Sequence, residues 1–172
     1  MKILIDEAAL RTRVAELGET IRRDSPPGAP IHMIAALKGA FVFLADLMRA
    51  TSGPVTCDFV SISSYGAGTS SSGEVLLRAG LAGSLKGRHV VVVEDIVDSG
   101  RTLEHLQAIV REGGPLSVRT VALLDKPSRR VSNVTVDYVG FTIEDHFVVG
   151  YGLDFDEQYR NLPYVGWIDE AR

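Results

Sequence analysis

Apolar and polar residues recur along the chain with two periods, one typical of helices and the other typical of strands. Apolar residues at four-three-four spacing predict an amphipathic helix from Asp6 to Asp24, with Asp6 as its N-cap. A second helix, apolar on most of its surface, is predicted from Ala40 to Ala50. A third is predicted from Thr102 to Glu112, where two glycines and a proline end it.

Short apolar runs between these helices predict the strands. The four consecutive valines from Val90 to Val93 are typical of a strand that is buried on both faces of a parallel sheet. The other predicted strands are Ile31 to Ala36, Val55 to Ile62, Val75 to Ala79, Val118 to Leu124, Val134 to Gly140 and Phe147 to Tyr151. Strands that alternate with helices predict an α/β fold whose central sheet is mainly parallel and flanked by helices.

Acidic and small polar residues follow the valine run directly. Glu94 and Asp95 come first, Asp98 lies three residues further on, and residues 99–102 open the third helix. Open α/β sheets bind ligands at the carboxyl ends of their strands, and backbone N–H groups at the start of a helix bind anions. The stretch therefore predicts a site for a ligand that carries both hydroxyl and phosphate groups, such as a phosphorylated sugar.

The segment from Ser63 to Gly73 is rich in serine and glycine, and Tyr65 is its one large side chain. Its composition alone slightly favours a plain surface linker. Its position inside a chain of single-domain length favours a lid or a binding loop instead, because long loops in compact domains are usually functional. We therefore expect one domain over residues 1–172, with a flexible active-site loop at about residues 63–74.

Composition and charge narrow the class of protein. The chain has 172 residues, 45% of them hydrophobic, and its net charge of −4 disfavours nucleic acid or an anionic membrane as the main partner. Cys57 is the only cysteine, which excludes an intrachain disulfide and is predicted to be a buried, inert thiol. The first residues do not read as a signal peptide and no apolar run reaches transmembrane length, so we expect a cytoplasmic protein.

Adjacent acids at a strand end, together with Lys126-Pro127 at a later one, also occur in phosphoacceptor receiver domains. Those domains carry the acid pair on their first strand and need a separate acceptor aspartate. Here the pair begins only at residue 94, and the phosphate-binding turn after it would have no purpose. The receiver interpretation is therefore disfavoured.

The stretch from Val90 to Leu103, VVVVEDIVDSGRTL, resembles the phosphoribosyl-pyrophosphate (PRPP) binding motif of type I phosphoribosyltransferases. More narrowly, the chain resembles the bacterial members of the family that act on hypoxanthine and guanine. Five further segments match the family in its order: Leu37-Lys38-Gly39, Ser63-Ser64-Tyr65-Gly66, Leu123 to Pro127, Phe147 to Tyr151, and Leu153 to Pro163. Several motifs in register make this resemblance specific.

The resemblance implies an activity and a set of partners. The activity is transfer of the phosphoribosyl group of PRPP to the N9 nitrogen of hypoxanthine or guanine, which forms IMP or GMP and releases pyrophosphate in purine salvage. It implies Mg²⁺ as cofactor, a homodimer or homotetramer, and no nucleic-acid or membrane partner. It also implies that the terminal segments form a small hood over the central sheet.

The resemblance also implies roles for individual residues. Glu94 and Asp95 would hold the ribose hydroxyls, and Asp98 would act as general base or proton relay at N7 of the purine. The 5′-phosphate would be bound by Ser99, Gly100, Arg101 and Thr102, with no inherited role for the Arg101 side chain. Either Asp98 or Ser99 could cap the helix that follows, and Ser99 is the favoured cap.

The remaining site residues come from elsewhere in the chain. Pyrophosphate would be bound by Lys38, Gly39 and Arg160, covered by Ser64 and Tyr65, with a cis peptide bond before Lys38. The purine would be bound by Lys126 at its O6 atom, Phe147 by stacking, Val148 through its backbone, and Asp154. The carboxylates of Glu94, Asp95 and Asp154 would bind the metal. Glu144, Asp145 and His146 match no required residue and are interpreted as surface residues.

Two alternatives remain. A regulator could keep the PRPP-binding fold and sense a ligand without catalysis, although the acidic net charge and the presence of Lys38, Asp98, Lys126 and Arg160 disfavour it. Within the enzymes, a pyrimidine or xanthine phosphoribosyltransferase is the second choice. Lys126 with Phe147 and Val148 favours a 6-oxopurine, and the sequence leaves the choice among hypoxanthine, guanine and xanthine open.

Overall fold

A computed structural model describes residues 1–64, 75–79 and 81–168, and its main feature is a six-stranded sheet. Its strands are β2 (Ile31–Leu37), β3 (Val55–Ser64), β4 (Val75–Ala79), β5 (His89–Val97), β6 (Ser117–Asp125) and β7 (Tyr138–Thr142). They lie in the order β4-β3-β2-β5-β6-β7, and only the β3–β4 pair is antiparallel. The predicted α/β fold with a mainly parallel sheet is confirmed.

Helices cover both faces of this sheet. On one face, α1 (Glu7–Asp24) and α2 (Phe41–Ala50) pack over Val91 and Val93, and on the other α3 (Arg101–Glu112) packs over Val90 and Val92. These four valines are at most 3% exposed. The valine run is therefore buried on both sides, as predicted, and it holds the residues after it at a fixed place.

The first helix begins as predicted and the third does not. The Asp6 carboxylate accepts a hydrogen bond from the N–H of Ala9 at 2.8 Å, which caps α1. The N-cap of α3 is Gly100, which has φ of 85° and provides no side-chain cap. The prediction that Ser99 is the N-cap of this helix is wrong, because Gly100 takes that position in a left-handed conformation. The Ser99 hydroxyl, one residue earlier, accepts a long hydrogen bond from the N–H of Arg101, at 3.4 Å.

Two further expectations fail in the outer parts of the sheet. The strand predicted from Val134 to Gly140 forms only as β7, because Val134 and Val136 pack into the core beside α3 before the ladder begins. Cys57 is exposed and not buried as predicted. It lies on β3, one strand from the sheet edge, where Phe59 is also 36% exposed.

A second sheet joins segments that are distant in the sequence. It is three-stranded and antiparallel, with β1 (Lys2–Ile5), β9 (Val165–Ile168) and β8 (Phe147–Val149) in that order. We call it the terminal sheet, and it is the hood that the family resemblance implies. The hydrophobic pattern did not predict β1 or β9, because neither of these four-residue strands alternates apolar and polar residues. None of the described helices is long and apolar enough to cross a membrane.

Candidate active site

The carboxyl ends of β2, β5 and β6 meet at one edge of the main sheet, and each is followed by candidate site residues. The parallel register sets Ala35 beside Val93 and Val97 beside Asp125. The loops after these strands therefore start close together. This is the edge at which open α/β sheets bind their ligands.

The acid pair after the valine run consists of a buried residue, Glu94, and a half-buried one, Asp95. Glu94 is 5% exposed, and its Oε1 atom has no hydrogen-bond partner among the described residues. Burial, and then the charge of Asp95, raise the pKa of Glu94 well above its usual value. Burial also raises the pKa of Asp95 to about 6. Two such carboxylates fit a ligand that brings hydroxyl donors or a cation.

Glycines allow three segments to touch at this acid pair. A Cβ atom on Gly39 would lie 1.7 Å from Oδ2 of Asp95, and one on Gly152 would lie 2.3 Å from the carbonyl oxygen of Gly39. The peptide bond between Leu37 and Lys38 is cis, as the family resemblance implies. The loop after β2 is thus held between the acid pair and the Gly152 turn.

Residues 98–102 lead from the acid pair into α3, and we call them the phosphate turn. Asp98, Ser99, Gly100 and Thr102 line one concave surface together with Glu94. The positive φ of Gly100 reverses the chain, and α3 begins at the next residue. Free N–H groups at such a helix start suit a phosphate dianion.

The segment after β6 braces this turn from outside, which the sequence did not predict. The carbonyl oxygen of Ser99 accepts from the N–H groups of Val131 and Ser132, at 2.9 and 3.1 Å. The Arg130 guanidinium donates to the carbonyl oxygen of Asp98 at 3.2 Å and pairs with the Asp125 carboxylate. The turn that carries Asp98 is therefore tied to the strand that ends at Lys126.

Asp98 and Lys126 line one cavity of about 530 Å³. Lys126 is 7% exposed, and its ammonium donates to the carbonyl oxygen of His146 at 2.5 Å. Phe147 is 39% exposed and meets Phe155 edge-on at 5.4 Å, so its alternative role as ordinary core is excluded. A buried ammonium and an open aromatic face suit a planar ring with an oxygen acceptor.

Two residues interpreted as surface belong to this cavity, and the sequence missed a third. Asp145 and His146 line the cavity. Asp145 is exposed, as the surface interpretation implies, whereas His146 is half-buried. Trp167, on β9, lines it too, and its ring meets the His146 ring at 3.8 Å between centroids. A tryptophan is a signal in itself, but nothing near it in the sequence points to Lys126.

The candidate pyrophosphate residues lie beside Gly39. The Arg160 guanidinium donates to the carbonyl oxygen of Gly152 at 2.8 Å and pairs with Asp154 at 2.8 Å. It also lies close enough to Asp95 to offset part of the rise in pKa that burial causes there. The Lys38 ammonium pairs with Glu157 at 2.7 Å. The structure thus brings Lys38, Gly39, Asp154 and Arg160 to one corner of the edge.

Three predicted features remain: Val148, Ser64, and the loop that includes Tyr65. Val148 lies on β8, 7% exposed, where it pairs with Trp167. Ser64 ends β3, and Tyr65 lies outside the described residues, as does most of the predicted loop at residues 63–74. The proposed contacts of Ser64 and Tyr65 with pyrophosphate stay predictions.

The carboxylates suit Mg²⁺ only in part. Among the described residues, no three side chains of His, Cys, Asp or Glu converge on a common metal position. Mg²⁺ in phosphate-binding sites usually takes one or two carboxylates, with substrate oxygens and waters as the other ligands. The unpartnered oxygen of Glu94, and the proximity of Asp95 to Asp154, fit that smaller requirement.

Known proteins resemble this chain in sequence and in fold. Residues 3–156 match the model of the phosphoribosyl transferase domain family. The hypoxanthine-guanine phosphoribosyltransferase of Bacillus subtilis is 44% identical over 170 residues, which cover 99% of this chain and 94% of that protein. A crystal structure of a hypoxanthine-guanine phosphoribosyltransferase from Bacillus anthracis matches with a TM-score of 0.92 and 46% identity, over 98% of this chain and 99% of that one.

A longer relative shares the same region. The bifunctional protein TilS/HprT of Listeria monocytogenes is 46% identical over 165 residues, or 96% of this chain. This chain spans only 25% of the length of that protein. The similarity therefore concerns one part of it.

Proposed function

The chain belongs to the phosphoribosyltransferase family, and from that premise we propose that it transfers the phosphoribosyl group of PRPP to hypoxanthine or guanine. The products are IMP or GMP and pyrophosphate, which is a purine salvage reaction. The observation that carries the proposal is the cavity that Asp98 shares with Lys126 and Phe147, directly beside the phosphate turn. One ligand can reach the acid pair and the turn while another occupies the cavity.

The acid pair and the phosphate turn bind the sugar. Glu94 and Asp95 accept hydrogen bonds from the ribose hydroxyls, which supply the donor that Oε1 of the buried Glu94 lacks. The N–H groups at the start of α3, with the hydroxyls of Ser99 and Thr102, bind the 5′-phosphate. Both ends of the ribose are thereby fixed to rigid elements, so its anomeric carbon faces the cavity in one orientation.

The cavity binds and orients the purine. The Lys126 ammonium donates to O6, the Phe147 ring stacks on the base, and the backbone of Val148 contacts its edge. Asp98 lies between sugar and base and exchanges a proton at N7 as N9 bonds to the anomeric carbon. A 6-oxopurine is favoured because a 6-amino group would place its N–H donors beside the Lys126 ammonium, which is itself only a donor.

The corner formed by Lys38, Gly39, Asp154 and Arg160, which we call the pyrophosphate corner, binds the leaving group. Lys38 and Arg160 bind pyrophosphate, and Asp154 holds Arg160 in place. Glu94, Asp95 and Asp154 would hold Mg²⁺ together with PRPP, and the ion would supply positive charge beside the pyrophosphate leaving group. The Gly39 backbone keeps this corner in contact with the ribose carboxylates.

The direct test is nucleotide formation by purified protein with PRPP, Mg²⁺ and one base at a time. We expect IMP or GMP from hypoxanthine or guanine in a spectrophotometric assay, with xanthine as a third substrate to rank and orotate and uracil as pyrimidine controls. Release of pyrophosphate in equal amount confirms the transfer. If no purine yields a nucleotide, the proposal is wrong; formation from a pyrimidine alone would establish the second choice.

We also propose that the chain forms a homodimer or homotetramer. Leu37 and Phe41 flank the Lys38 loop, and they are 40% and 42% exposed, although apolar side chains of this size usually lie inside. Light scattering coupled to size-exclusion chromatography measures the mass directly. A monomer at micromolar concentration would contradict this proposal and leave the proposed activity standing.

A further inference from the structure

Both cations of the pyrophosphate corner contact one carboxylate that has no place in the reaction described above. The Oε2 atom of Glu157 lies 2.7 Å from the Lys38 ammonium, and its Oε1 atom lies 3.6 Å from the Arg160 guanidinium. A carboxylate that spans two cations in this way occupies positions that phosphate oxygens would take. The contact joins residues 119 positions apart in the chain, so tertiary structure and not local sequence creates it.

The backbone around Glu157 adopts an unusual conformation. Asp156, Glu157 and Tyr159 have φ of 51°, 60° and 74°, a region that residues with side chains seldom adopt. The turn is held by the N–H of Glu157, which donates to the Asp154 carboxylate at 2.9 Å, and by paired backbone bonds between Phe155 and Gln158. Such conformations persist where the surrounding structure holds them, and they cluster at ligand-binding segments. This turn aims the Glu157 side chain at Lys38.

We propose that Glu157 is an internal substitute for pyrophosphate. Its carboxylate neutralises Lys38 and Arg160 while the corner is free of ligand, and the diphosphate of PRPP has to displace it. After transfer it competes with the product for the same two cations. Glu157 therefore weakens the binding of pyrophosphate and speeds its release, a role that rests on the proposed function of the corner.

The neighbouring acid has a different part. Asp154 pairs with Arg160 at 2.8 Å, and both side chains are at most 30% exposed, so this pair anchors the guanidinium. The Lys38 and Glu157 side chains are 64% and 66% exposed. Exposed ion pairs contribute little net stability, because water and salt screen them. A ligand with several negative charges can therefore displace Glu157 and leave the Asp154 contact in place.

The experiment compares pyrophosphate binding to the full chain and to Glu157→Gln, by calorimetric titration of inorganic pyrophosphate in the presence of Mg²⁺. Glutamine keeps the length of the side chain and removes its charge. We expect Glu157→Gln to bind pyrophosphate about two- to fivefold more tightly, the range that the loss of one exposed ion pair allows. A residue that merely held Lys38 and Arg160 in position would give the opposite sign, since its loss would weaken binding.

Asp156→Asn is the matched control. It removes the same charge one residue away, on an exposed side chain, and asparagine tolerates the positive φ at that position. We expect it to change pyrophosphate affinity by much less than Glu157→Gln does. Unchanged or weaker binding by Glu157→Gln, or equal tightening in both variants, would overturn the proposal.

Nucleotide formation separates this result from a failure of the proposed function. If the unmodified protein makes IMP or GMP but Glu157→Gln does not bind pyrophosphate more tightly, only the role of Glu157 is wrong. If the unmodified protein neither makes a nucleotide nor binds pyrophosphate, the proposed function fails and this inference fails with it.

Discussion

The two walls of the candidate site, which we call the sugar-binding wall and the purine-binding wall after the ligands proposed for them, are built in different ways. The sugar-binding wall follows β5, a strand buried between two apolar clusters, and its acids and its phosphate turn are contiguous from Glu94 to Thr102. The purine-binding wall includes His146, Phe147 and Trp167 of the small terminal sheet and the loop before it, where side chains are more exposed. The first wall is rigid and local in sequence, whereas the second is assembled from distant, lightly covered segments. Under the proposed function, the first wall binds PRPP, which is the same for every base, and the second wall selects among the bases.

Removing the acid of Asp98 is expected to have the largest effect, because this residue lies where the two walls meet. Asp98→Asn keeps the shape of the side chain but cannot take up a proton. General acid–base catalysis typically contributes about 10²–10⁴-fold, so we expect a loss of that size in kcat and little change in the KM for PRPP. Steady-state kinetics with each substrate varied in turn measure both. Equal losses in kcat and in PRPP affinity would show that Asp98 binds the sugar and does not act on the base.

A methyl group at Gly152 is expected to disrupt the packing of the loop at Gly39, which contacts Asp95 of the sugar-binding wall. Its Cβ atom would lie 2.3 Å from the carbonyl oxygen of Gly39, and its φ of 99° is unfavourable for alanine. We expect Gly152→Ala to lower the free energy of unfolding by about 1–3 kcal/mol, the usual range for overpacking. Urea unfolding measures this, with Gly83→Ala as control, since a Cβ atom at Gly83 meets nothing within 4 Å. Equal stability of the two variants would contradict the close packing of this corner.

Removing an aromatic ring from the terminal sheet tests the other wall. Trp167→Ala deletes the partner of the His146 ring, and an aromatic pair contributes about 0.5–1.5 kcal/mol beyond buried area. Because Trp167 also lines the cavity proposed for the purine, loss of an aromatic contact of that size with the base would raise the KM for the purine about two- to tenfold, while the KM for PRPP stays nearly constant. Lys2→Ala serves as control, because it removes only the cation stacked 5.1 Å from the Trp167 ring. A rise in the KM for PRPP of the same size would show that the two walls are not independent.

The smallest expected effect lies at the end of β2 that faces away from the site. Burial, followed by the charge of Arg88, lowers the pKa of His32 below 6.5. The unfolded chain therefore binds more protons at that position, so the contribution of His32 to stability is complete above pH 6.5 and is lost as the pH falls through the lowered value. We expect His32→Gln to flatten the dependence of the urea midpoint on pH between about 5 and 7, without changing kcat. An unchanged pH dependence would contradict this.

The sequence predicted most of the sugar-binding wall because most of its determinants are local. Four valines specify a strand buried on both faces, and the ligand edge of a parallel sheet then places Glu94 and Asp95. The roles of Lys38, Arg160 and Lys126 came from the family resemblance, since a lysine or arginine after a strand is otherwise an ordinary surface residue. Ser99 was predicted as the N-cap of α3 from its residue type, but Gly100 takes that position and leaves the Ser99 hydroxyl only a long hydrogen bond to the N–H of Arg101.

The purine-binding wall was only partly predictable for the opposite reason. Trp167 approaches His146 only because β9 pairs with β8, and β1, which is four residues long, shows no alternation of apolar and polar residues. Arg130 ties Asp98 to Asp125 through a backbone carbonyl, which leaves no trace in the residue types involved. Contacts of this kind depend on tertiary structure, and a single sequence does not encode them in any short window.

The contact between Gly39 and Gly152 has a consequence for anyone who recombines this protein with a relative. Because Gly39 meets Asp95 on one side and Gly152 on the other, the segments around residues 37–40 and 150–154 interlock with the strand end at residue 95. A chimera that takes one of these segments from a relative with a different loop length would break the close contacts of Gly39 with Asp95 and with Gly152. The three segments therefore form one exchangeable unit, although more than fifty residues separate each from the next along the chain.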